Sequence, residues 1–104
     1  MSKSPITTKG EQKLPPIHPG RILLEDMKDE EISINKLAQA IRVPANRISL
    51  IVNRKRGITA DTAVRLGRYF GTSAQYWLNL QNRYDLDSLD KGLIERDVIP
   101  KKAA

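Results

Sequence analysis

The 104-residue sequence contains no cysteine. That excludes a disulfide framework, a thiolate nucleophile and a cysteine zinc site. It has a single histidine, His18, which excludes a histidine-rich metal site. No apolar run approaches the roughly 20 residues of a membrane-spanning helix, and the opening MSKSPITTKG lacks the apolar stretch of a secretory signal. A cytoplasmic protein without a membrane contact is the expectation. No glycine loop that would cradle phosphate and no nucleophile elbow is present. The acids Glu25, Asp26, Asp29, Glu30 and Glu31 lie together without a histidine partner and read as a solvated face. Catalysis and a cofactor are therefore not expected.

A further absence carries the most information. Residues 33–58 contain Lys36, Arg42, Arg47, Arg54, Lys55 and Arg56 and no acid, while the whole chain has a net charge of +6. This one segment thus equals the net charge. An acid-free basic stripe marks a surface for a polyanion.

Residues 1–16, with three prolines and few apolar side chains, read as a flexible basic arm. From His18 the pattern becomes helical. Pro19 suits a first helical turn, where its missing N–H has no partner to lose, and Ile22, Leu23 and Met27 recur at helical spacing. Ser33 is a good cap for a second helix with Leu37, Ala38 and Ile41 on its apolar face. Pro44 forces a short turn, and a third helix runs from about Ala45 to Val52. Thr59 caps a fourth helix that Gly71 ends, and Ser73 caps a fifth carrying Trp77, Leu78, Leu80 and Tyr84. No alternating stretch supports a strand. Beyond Leu86, Leu89, Leu93 and Ile94 are compatible with more helix. The expectation is an all-α chain of five short helices. Residues 17–86 form its domain, and 87–104 are a C-terminal extension and candidate dimer or partner contact.

A helix advances about 100° per residue. With Asn46 at 0°, Ile48, Ile51 and Val52 fall at roughly 140–240° and make one apolar face. Arg47, Ser49, Leu50, Asn53 and Arg54 lie, with Asn46, on the other side. Such side chains read base edges or grip phosphates: arginine forks onto guanine, asparagine onto adenine, and leucine meets a thymine methyl. A second helix, a short turn and this third helix make the helix-turn-helix arrangement, whose second helix enters the major groove.

From Ile17 to Leu86, about two-thirds of the chain, the sequence resembles the antitoxins of the HigA/VapI family. These are a branch of the Cro/C1-type, phage-repressor-like helix-turn-helix proteins. The resemblance is carried by His18-Pro19-Gly20, Leu37-Ala38, Val43-Pro44 with Arg47-Ile48, and Lys55 to Thr59. Its most specific stretch is Arg68 to Ser73, followed by Tyr76 to Gln81 and Tyr84-Asp85-Leu86. The resemblance implies a lambda-repressor-like fold. It also implies that the chain neutralises a small RelE-like (HigB) ribonuclease toxin from the same operon, and binds its own operator as a homodimer to repress transcription. By position, the base-reading candidates are Ala45, Asn46, Arg47, Ser49, Leu50 and Asn53. The phosphate candidates are Asn35, Arg54, Lys55 and Arg56. The chain departs from the family pattern at Arg42 and Arg54, where glycine is usual at a left-handed helix end. The alternatives are a stand-alone repressor without a toxin, and a helical module whose basic face meets an acidic protein or RNA. The late apolar residues Leu80, Leu86, Leu89, Leu93 and Ile94 exceed the needs of a small core, which places the expected dimer contact there.

Overall fold

A computed structural model describes residues 14–102. Most of the expected N-terminal arm, residues 1–13, lies outside the described residues. Within them the chain is all-helical: α1 Pro19–Asp29, α2 Ile34–Ile41, α3 Ala45–Val52, α4 Ala60–Phe70, α5 Ala74–Asp87 and α6 Lys91–Asp97. Six helices replace the expected five. The tail does not extend α5: that helix ends at Ser88, whose hydroxyl donates to the Tyr84 carbonyl at 2.7 Å. Asp90 then caps a new helix by accepting the Leu93 amide at 3.2 Å. Nothing in α6 is buried.

The starts of the first five helices follow from local chemistry. Ser33, Thr59 and Ser73 accept first-turn amides at α2, α4 and α5. His18 caps α1 with its ring, Nδ1 accepting the Gly20 amide at 2.9 Å. Accepting that bond requires an unprotonated Nδ1. Burial, and then the charge of Arg54, push His18 below the ordinary imidazole value, against a smaller upward pull from Asp85. Pro44 precedes α3 without a side-chain cap.

The helix ends are less ordinary. After α1, α2 and α3 the backbone turns left-handed at Glu31, Arg42 and Arg54, with φ of 54°, 64° and 63°. At each, paired amide bonds close the end; after α3 they are Arg54 N to Ile51 O at 3.0 Å and Lys55 N to Leu50 O at 2.8 Å. A side chain in this conformation costs about 1–2 kcal/mol. Only Gly71, after α4, escapes it.

The core joins Leu23 and Met27 of α1, Leu37 and Ile41 of α2, Ile48 and Ile51 of α3, Leu66 of α4 and Trp77 of α5. Trp77 is fully buried and its indole N–H donates to Thr72 Oγ1 at 3.0 Å. It is core, as its spacing indicates. Helix α3 packs on α1 and α2, and α5 on α1 and α4.

The contact between α1 and α3 is a backbone contact. A Cβ on Gly20 would overlap the Ile51 carbonyl oxygen. Only glycine lets the first turn of α1 rest against α3. Gly20→Ala is therefore expected to cost about 3 kcal/mol, the upper range for overpacking a site that cannot yield. Gly57→Ala, whose new Cβ meets the Gln81 side chain that accepts the Ile58 amide, is expected to cost less, about 0.5–1.5 kcal/mol, the worth of that one hydrogen bond. Urea unfolding followed by Trp77 fluorescence measures both; equal costs would contradict the packing described.

Candidate nucleic-acid interface

Helix α3 buries Ile48 and Ile51 completely. That fixes its rotation and determines which side chains remain outside. Ala45, Asn46, Leu50 and Asn53 are exposed, and Ser49 is half-buried. Asn35, on the first turn of α2, faces Asn46 and Ser49 across a shallow hollow that Ser33, Ile34 and Ala45 complete. Asn53 is held by its own helix, its amide nitrogen donating to Ser49 O at 2.8 Å. Arg54, Lys55 and Arg56 follow in an exposed turn. Its far side is anchored where the Ile58 amide donates to Gln81 Oε1 at 2.7 Å. The exposed edge of α2, the outer face of α3 and the loop after it thus form one surface without an acid.

Arg47 departs from the outward orientation expected of it. Its side chain is only 25% exposed, and its guanidinium donates to Asp61 Oδ2 at 2.9 Å. The reason lies in the helical wheel. Arg47 falls roughly 40° from Ile51, at the border of the buried face, where α4 brings a carboxylate within reach. Asp61 also accepts from Arg65 Nε at 3.0 Å. The Arg65 hydrogen bond above all holds the Asp61 carboxyl below the ordinary carboxylate range; desolvation opposes it, and the charge of Arg65 and then Arg47 add to the lowering. Asp61 is an acid on the positive first turn of α4. Its link to Arg47 and the part of Arg65 are not visible in sequence, because the partners are remote along the chain.

The acids Glu25, Asp29, Glu30 and Glu31 are exposed on and after α1. Among the described residues no acid or histidine group is arranged to hold a metal ion, and no helix is long and apolar enough to cross a membrane.

A short helix, a tight turn and a recognition helix with an exposed Asn/Ser face define a helix-turn-helix domain. The helix-turn-helix family model matches residues 23–77, and the chain belongs to that family. Within it, the chain belongs to the HigA/VapI group of Cro/C1-type proteins. It is 54% identical to virulence-associated protein I of Dichelobacter nodosus over 78 residues, 74% of this chain and 72% of that protein. It is 45% identical, with a TM-score of 0.78, to the Pseudomonas aeruginosa antitoxin HigA solved with the higBA promoter, covering 84% of this chain and 99% of that one. A HigA-family addiction-module antidote protein from Coxiella burnetii gives 46% and 0.78, covering 84% and 99%.

Arg54 stands left-handed at the edge of the basic surface. Replacing it by glycine removes strain of about 1–2 kcal/mol and adds about 0.4–1 kcal/mol of unfolded-state entropy. The net gain is about 0–1.6 kcal/mol, so Arg54→Gly is expected to raise the melting temperature by up to roughly 10 °C and to elute from heparin at lower salt. A lowered melting temperature or an unchanged elution would contradict this placement.

Proposed function

We propose that the protein is an antitoxin and autorepressor, binding its own operator as a homodimer and neutralising a RelE-like toxin from the same operon. The observation that carries the reading is the acid-free face of α3, α2 edge and following loop, set on the frame of an antitoxin solved with its promoter. Asn46, Ser49 and Leu50, with Ala45 leaving room for close approach, read base edges; Asn53 orders Ser49 beside them. Asn35, Arg54, Lys55 and Arg56 hold the phosphates on either side.

One recognition helix spans too few base pairs for tight specific binding, so a two-fold dimer on a near-palindrome is required. An apolar surface to which α3 contributes no residue supports this. A groove of about 550 Å³ there is lined by Ile17, Ile22, Leu80 and Leu86 among others. Leu89, Leu93 and Ile94 stand about half exposed beside it. Pairing through this surface leaves α3 free.

The test uses the DNA immediately upstream of the protein's own reading frame against a scrambled duplex of equal length. The wild type is expected to prefer the upstream duplex. Asn46→Ala is expected to lose about 1–3 kcal/mol of that preference. Lys55→Ala is expected to weaken both duplexes alike and reduce the log–log salt slope by about one unit. Co-expression with the adjacent reading frame is expected to relieve that product's toxicity. Absence of any duplex preference would overturn the repressor reading. A preference without a toxic neighbour would leave a stand-alone repressor.

A further inference from the structure

Helix α3 packs on α1 and α2 but has no comparable packing against α4. The link between its first turn and α4 is instead made by side chains. Arg47 donates to Asp61 Oδ2 at 2.9 Å, and Arg65 donates from Nε to the same oxygen at 3.0 Å. Arg65 then reaches the far side of the turn, donating from one terminal nitrogen to Ile41 O at 2.9 Å and Arg42 O at 3.3 Å. The path runs from the last carbonyls of α2, through Arg65 and Asp61, to the first turn of α3. It spans the turn Arg42-Val43-Pro44 from outside.

We propose that Asp61 is a positioning residue for recognition: with Arg65 and Arg47 it braces the turn and fixes the angle at which α3 is presented. This rests on the DNA-binding reading above. Three observations support a brace over a free base-reading arginine. Arg47 Nε is buried without a hydrogen-bond partner, so the stem of the side chain is enclosed rather than extended. The carbonyls that Arg65 caps belong to a helix end whose next residue, Arg42, is left-handed, and such an end benefits from a fixed donor. Finally, Asp61 is an acid at the border of a surface otherwise cleared of acids. A carboxylate there opposes binding of any polyanion unless it has another task.

That last point separates two accounts by sign. If Asp61 acts only through charge, removing it strengthens binding to every duplex. If it is a brace, removing it lowers the preference for the upstream duplex, while affinity for the scrambled duplex stays equal or rises. The experiment compares wild type, Arg47→Met, Asp61→Ala and the double variant on both duplexes, with Asp61→Asn as the shape-conserving control. Trp77 fluorescence confirms that each is folded. Each single variant is expected to reduce the preference about tenfold, and the double variant to lose no more than either, since the two residues act as one unit. Asp61→Asn, which keeps an oxygen acceptor but not the charge, is expected to retain part of the preference. A preference unchanged in Asp61→Ala, or a double variant that loses about a hundredfold because the two effects add, would overturn the brace.

Amide hydrogen exchange on the free proteins gives a readout without DNA. The Ser49 to Val52 amides are expected to exchange about tenfold faster in Asp61→Ala, with the α5 amides around Trp77 unchanged. Unchanged exchange in α3 would overturn the brace. Should the wild type show no duplex preference, the recognition reading fails, and the exchange result still decides whether Asp61 holds α3.

Discussion

An eight-residue helix does not hold itself together in water, and α3 has eight residues. Most of what surrounds it answers that constraint. Ile48 and Ile51 give it a buried face, and Gly20 lets α1 come into backbone contact with it. The paired bonds at Arg54 and Lys55 close its C-terminal end, while Pro44 at its start supplies no side-chain cap. Stability is thus drawn from the inner side of the helix, leaving the outer side chains free of structural duty except where Asn53 binds back to Ser49 and where Arg47, at the border, is held by Asp61.

The electrostatics follow from the same division. Residues 33–58 contribute six cations and no acid, so the surface repels no phosphate but also lacks the ion pairs that ordinarily tie exposed arginines down. Asp61, just beyond that segment, is the exception and is shared by two arginines. Exposed pairs of this kind contribute little to stability. The value of the arrangement is in geometry more than in stability. Arg42 and Arg54 point the same way. Each occupies a left-handed position that glycine would fill with less strain, and each adds a positive charge within the acid-free segment. Stability is given up there for charge.

Much of this was legible in the sequence. The limits of α3 follow from Pro44 before it and from the apolar spacing of Ile48, Ile51 and Val52. The caps at Ser33, Thr59 and Ser73 follow from side-chain chemistry, and Trp77 in the core from its spacing. Three features were not legible. Arg47 lies at the border of two faces on a wheel, and only the position of α4, 14 residues on at Asp61, decides its direction. The left-handed turn at Glu31 carries no glycine or asparagine to announce it. The break between α5 and α6 depends on Ser88 and Asp90 outcompeting an apolar pattern that continues through them. In each case a contact or a local competition overrides periodicity.

On the reading proposed above, α3 reads DNA with its outer face while Arg47 stays with α4. A structure of the full chain on the duplex upstream of its own reading frame tests both directly. Helix α3 is expected in the major groove, with Asn46 and Ser49 side chains within hydrogen-bonding distance of base edges and Arg47 still on Asp61. A complex in which α3 lies outside the groove, or in which Arg47 has left Asp61 for a guanine, would contradict it.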